Sequence, residues 1–167
     1  FGPEESTLDL DAAQVEPEQL AAAERTANEL AYQALPITAY EVDEVQLAGM
    51  PLRRPPKVSG LIRIVEIAEY DYSACGGTHV RTTAEIAPLK LVRQERRRGQ
   101  TRITFLCGLR AVADYGEKHR LLLETATLFS NEARAVPGLV QRLLDQNREL
   151  QRQVDTLTEQ AVAHEVG

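Results

Sequence analysis

Cys75-Gly76-Gly77-Thr78-His79 places a thiol and an imidazole on one short segment, with three residues between them. A Cys thiolate and a His ring are both donors that zinc accepts, and this spacing lets them share one ion. The two glycines are expected to turn the backbone sharply, so that the two side chains converge. Thr78 lies between them and has two readings: a turn hydroxyl bonded to nearby backbone, or a contact to a bound group. Structural zinc needs four protein ligands and catalytic zinc usually three. The remaining candidates are poor, since His119 and His164 fall in helical sequence and Cys107 ends a strand. The chain has no His-x-x-x-His and no Cys-x-x-Cys, so the pair is half a site.

Charge supplies the second functional signal. The net charge of −6 divides unevenly: residues 1–50 carry −10, residues 51–110 carry +7 and residues 111–167 carry −3. The basic middle includes Lys90, Arg93, Arg96, Arg97, Arg98 and Arg102. Such a stretch suits a polyanion, and the competing reading is a solvated hairpin tip. Arg96 and Arg98, two apart, are expected on one face of that hairpin. The three Phe and five Tyr show no stacking pattern of the single-strand binders. Two cysteines are too few for a disulfide scaffold, and no apolar run is long enough to span a bilayer. The expectation is a reduced, soluble, cytoplasmic protein without a membrane partner.

The elements that must position these residues follow from periodicity. Alternation over Thr7–Leu10 predicts a strand. Residues 16–35 predict a helix, with Pro17 in the first turn and Leu20, Ala23, Ala27, Leu30, Ala31 and Ala34 at helical spacing. Residues 37–47 read as a strand with an acidic outer face, and residues 51–56 as a linker around Arg53 and Arg54. Residues 61–67 and 70–74 are two more strands, the second leading into the glycines. Residues 88–97 and 101–107 form a hairpin around Arg98-Gly99-Gln100. Sheet plus helix without regular alternation means α+β, mostly antiparallel, with a packed helix.

From Leu109 the texture is helical. One helix is expected over residues 109–131, interrupted at Gly116, and a second from Pro137-Gly138. Val140, Asn147, Val154 and Ala161 fall at a positions and Leu143, Leu150 and Leu157 at d, a heptad seam over residues 139–163. Leu at d with one buried Asn at a favours a parallel homodimer. The alternative is an antiparallel hairpin with residues 109–131, using Leu121, Leu122 and Leu128. Two domains are expected, 1–108 and a helical extension 109–167.

Residues 75–86, Cys-Gly-Gly-Thr-His-Val-Arg-Thr-Thr-Ala-Glu-Ile, resemble the second signature of the editing domain shared by alanyl-tRNA synthetases and stand-alone alanyl-tRNA editing proteins. Residues 6–11 are similar to the strand after that family's first metal-binding helix. Glu24-Arg25-Thr26-Ala27-Asn28 resembles its recurrent Glu-x-x-Ala-Asn pattern, and residues 60–65 the strand leading to the signature. Residues 102–111 resemble the closing strand and helix start, more as in the stand-alone proteins. The likeness runs in order over about residues 3–115, and relatives commonly carry a helical extension behind it. Ala84 and Ala87 depart from the pattern, standing where relatives often have Gly.

The resemblance implies zinc held by Cys75, His79 and a His-x-x-x-His pair expected upstream of Phe1, in a longer protein. It implies hydrolysis of the ester of mischarged alanine tRNA, removing Ser or Gly, with Thr78 as the catalytic candidate. Arg93, Arg96, Arg97, Arg98 and Arg102 then become candidate contacts to tRNA phosphates. The alternative is an RNA-binding and oligomerisation module of a synthetase-like protein, without catalysis of its own.

Overall fold

The computed structural model describes Gly2, residues 5–52, 54–55 and 60–166. Arg53 and Pro56 of the expected linker lie outside the described residues. The fold is α+β, with two antiparallel sheets of three strands each. The chain divides into one compact unit of residues 1–113 and another of residues 114–167.

The first sheet has the order β1-β6-β5, from β1 (Ser6–Leu10), β5 (Leu89–Arg97) and β6 (Gln100–Cys107). β5 and β6 form the expected hairpin. Its two central residues, Arg98 and Gly99, have φ of 51° and 81°, the left-handed pair that a tight two-residue turn requires. The register slips between Leu91 and Arg93, a bulge that leaves Val92 as the extra residue. The second sheet has the order β2-β3-β4, from β2 (Ile37–Val42), β3 (Ile62–Ile67) and β4 (Asp71–Ala74). Its central strand is β-branched, and Ile62 and Ile64 pack with Val42 in the core, flanked by Tyr40, Leu47, Met50, Leu52 and Tyr72.

α1 (Pro17–Tyr32) starts on a capping box between Glu16 and Gln19 and presents Glu24 and Asn28 to the edge of β5. Asn28 donates to the Leu89 carbonyl at 2.7 Å and accepts from the Leu89 amide at 2.8 Å. Glu24 accepts from the Leu91 amide at 2.8 Å. The Glu-x-x-Ala-Asn pattern therefore satisfies the open edge of a sheet, which backbone groups left bare would make costly.

The expected strand over residues 37–47 ends early. Asp43 accepts hydrogen bonds from the Val45 and Gln46 amides and opens a short helix, α2 (Glu44–Leu47). Here a capping side chain overrides an alternating pattern.

α3 (Leu109–Leu128) runs straight through Gly116, so the expected interruption does not occur. One glycine costs a helix about 1 kcal/mol, too little to break 20 residues. The stop comes at Ser130, in the left-handed region with φ 49°. α4 (Val136–Val166) starts one residue before Pro137. Leu121, Leu122 and Leu128 remain exposed, so they do not form the antiparallel hairpin that the sequence left open. No helix among the described residues is long and apolar enough to cross a membrane.

Candidate functional site

β4 delivers Cys75. The ladder pairs Ile64 with Ala74, and one step further the Cys75 amide donates to the Arg63 carbonyl at 3.1 Å. The Arg63 side chain then reaches along the loop. Its Nη1 donates to the carbonyls of Cys75, at 2.7 Å, and Gly77, at 2.8 Å. One half-buried guanidinium thus holds two of the five residues of the motif.

The glycines have a different role from the expected one. Neither Gly76 nor Gly77 has a positive φ, so backbone sterics do not require glycine at either position. A Cβ at Gly76 would meet nothing within 4 Å. A Cβ at Gly77 would stand 3.6 Å from Cys75 Sγ. The bare backbone leaves open the space beside the sulfur, where a bound group would approach.

Thr78 and His79 follow on the same loop and are exposed. Among the described residues the Thr78 hydroxyl has no partner, so the turn-hydroxyl reading is not realised. The loop's far end is tied down at Thr83, which is buried. Its hydroxyl donates to the Leu30 carbonyl at 2.8 Å and accepts from the Leu35 amide at 2.9 Å. The Ile37 amide donates to the Arg81 carbonyl at 2.8 Å, joining the same segment to β2.

Cys75 and His79 have the donor chemistry for zinc, and Gly77 leaves room at the sulfur. No group of three or more His, Cys, Asp or Glu able to hold a metal occurs among the described residues. Cys107 is half-buried at the end of β6, and burial pushes its thiol up against a smaller opposing effect of Arg110. It fits a small packed residue rather than a ligand. His119 stacks on Tyr115 along α3, with ring centroids 5.7 Å apart.

The basic candidates divide. Arg93 pairs with Glu5 and Glu95, both at 3.1 Å, and Arg102 pairs with Asp9 through two bonds of 2.7 Å. Arg96 donates to the Ala13 carbonyl at 3.0 Å, and Lys90 pairs with Glu24 at 2.6 Å. The side chains of Arg97 and Arg98 make no hydrogen bond or ion pair among the described residues. Arg98 sits in the turn, so it does not continue the strand face of Arg96.

Two positioning residues, Arg63 and Thr83, escaped the sequence reading. Arg63 had a signal: it is the one charge within Leu61-Ile62-Arg63-Ile64-Val65, on a strand whose neighbours are buried.

Residues 62–104, which contain this loop and both its anchors, match the model of the threonyl and alanyl tRNA synthetase second additional domain. The chain carries that domain. It is 35 % identical over 157 residues to an alanine–tRNA ligase of Streptococcus thermophilus (strain ATCC BAA-491 / LMD-9), covering 92 % of this chain and 18 % of that protein. An alanine–tRNA ligase of Streptococcus suis (strain 98HAH33) is 33 % identical over the same share of each chain, and one of Streptococcus gordonii (strain Challis) 34 %. These findings agree with an editing-domain-like fragment. The chain spans about a fifth of the length of these curated relatives, and the matched domain is a smaller part again.

Proposed function

We propose that residues 1–108 are the C-terminal part of a zinc-dependent editing domain that hydrolyses mischarged alanine tRNA. The observation that carries this reading is the anchored Cys75–His79 loop, held by Arg63 at one end and Thr83 at the other, with the sulfur's surroundings left clear by Gly77. Cys75 and His79 would hold the zinc, together with ligands from outside the described residues. Bound there, zinc would polarise the ester carbonyl of the aminoacyl group. Thr78, exposed and without an internal partner, would accept from or donate to that aminoacyl group and orient it. Water adds to the acyl carbon, the carbon–oxygen bond to the terminal ribose breaks, and Ser or Gly leaves with the tRNA hydroxyl restored.

Arg97 and Arg98 are best suited to tRNA phosphates, because their charge is not already matched within the chain. Zinc stoichiometry measured beside deacylation of serine-charged alanine tRNA tests the proposal. Bound zinc and ester cleavage that both fall in Cys75→Ser and His79→Ala support it. Zinc binding unaffected by those substitutions would remove Cys75 and His79 from the site.

A second reading, an RNA-binding and oligomerisation module, is favoured by α4. Leu143, Leu150, Val154 and Leu157 are 53, 59, 55 and 63 % exposed along one helix of 31 residues. These are d and a positions of the heptad seam, and a second copy of the chain is the partner that a register-setting Asn147 fits. Tight tRNA binding by a dimer that cleaves no ester and binds no zinc would favour this reading.

A further inference from the structure

We propose that Arg63 is the positioning residue of the Cys75–His79 loop, presetting the sulfur's place before any ligand arrives; its value for zinc rests on the editing reading above. Arg63 is the second residue of β3. Arg63 lies directly across from Cys75, sharing its face of the sheet, and its carbonyl already accepts from the Cys75 amide at 3.1 Å. From there the guanidinium closes a second connection over the loop, to the carbonyls of Cys75 and Gly77.

Those two carbonyls belong to the residues on either side of Gly76. A Cβ added at Gly76 would meet nothing within 4 Å beyond its chain neighbours, so no packing confines that position. Without the guanidinium, the path from Cys75 to Thr78 is held at its near end by one backbone bond. The loop is exposed from Gly76 to His79, so burial contributes little to its order. Charge-assisted hydrogen bonds from one fixed cation are the stronger kind, and both are made through a single nitrogen with a proton for each carbonyl.

The same arrangement separates positioning from general stability. Ile62, Ile64 and Val65 hold β3 in place through burial, independently of the Arg63 hydrogen bonds to the loop. Loss of the guanidinium therefore releases the loop while the sheet persists.

The test uses the full chain without metal, comparing Arg63→Met, Arg63→Lys and, as a control at the hairpin turn, Arg98→Gln. Alkylation by iodoacetamide is followed by peptide mass, with Cys107 in β6 as the internal reference, and {1H}–15N NOEs are read at Gly76, Gly77 and Thr78. In Arg63→Met, the ratio of Cys75 to Cys107 labelling rises about 10-fold or more and the three NOEs fall. Global unfolding would instead raise labelling of both thiols. In Arg63→Lys the ammonium nitrogen stops about one bond short of the position that Nη1 occupies. That variant is therefore expected between wild type and Arg63→Met, and it keeps the comparison available should Arg63→Met not fold. An unchanged labelling ratio with unchanged NOEs in both variants overturns the proposal. Competition with a chromophoric chelator then reads zinc: Arg63→Met weakens binding about 10–100-fold, and equal affinities overturn the ligand-presetting role. Zinc affinity unchanged by Cys75→Ser in a chain extended to supply the expected upstream His-x-x-x-His pair defeats the editing reading, while the metal-free labelling ratio still decides what Arg63 does.

Discussion

Three single residues decide how the candidate loop and its surroundings behave. Gly77 keeps the sulfur accessible rather than bending the chain. With no clash against backbone and no positive φ, Gly77→Ala should leave stability unchanged or raise it by about 0.4–1 kcal/mol, while a chelator competition shows weaker zinc binding. Thr83 acts through its hydroxyl, which serves both the Leu30 carbonyl and the Leu35 amide. Thr83→Val preserves shape but strands both groups, and urea denaturation should show a loss of about 1–3 kcal/mol. Asp9 behaves differently, because it is at the surface. The hydrogen bond from Arg102 holds its carboxyl below the usual carboxylate range. A depressed folded pKa means that the contribution is present above the unfolded value, about 3.9, and is lost as pH falls through the folded one. Amide exchange in β1 should therefore accelerate below about pH 4 in the wild type, and Asp9→Asn should remove that pH step.

At the scale of elements, side chains settle what the backbone alone leaves open. β5 is an edge strand, and α1 covers it by reaching its amides and carbonyls with Glu24 and Asn28 rather than by apolar packing alone. Asn28→Ala leaves the Leu89 amide and carbonyl without their partner, with an expected loss of about 1–3 kcal/mol in thermal or urea unfolding. Both residues were visible in the sequence as a helix-spaced pair, yet nothing in the pattern said that their target was a strand 61 positions away. α4 poses the opposite case. Its heptad seam was fully legible, and the helix is continuous over all of it. The dimer proposed for it predicts concentration-dependent sedimentation, with Asn147→Val raising dimer stability and loosening register. A monomer at every concentration would end that proposal.

Across the first unit, the uneven charge distribution is largely matched within the fold. The acidic first 50 residues supply Glu5, Asp9 and Glu24, which meet Arg93, Arg102 and Lys90 of the basic middle. Charge counted along the chain therefore overstates what faces a polyanion. Among the described residues of the hairpin, Arg96, Arg97 and Arg98 have no carboxylate partner, and Arg97 and Arg98 have no side-chain partner at all. If they meet tRNA, replacing both with Gln should lower the slope of log binding constant against log salt by about 2, one for each phosphate no longer neutralised. An unchanged slope would leave the hairpin tip as solvated surface.

The sequence by itself determined the strands of both sheets apart from the end of β2, the course of α1 and the pairing of β5 with β6, because alternation, capping and a left-handed turn are local properties. It also determined the Cys75–His79 motif, since donor identity and spacing are written in the residues. Only tertiary structure decided that β1 joins β6 across more than 90 positions, that Arg93 and Arg102 are matched by carboxylates, and that Arg63 holds the motif's carbonyls. Each of these depends on which strands lie side by side, and pairing of distant segments is set by the burial and register of the whole sheet. A lone arginine in an apolar strand marks where to look; its two acceptors exist only once β3 and β4 are paired.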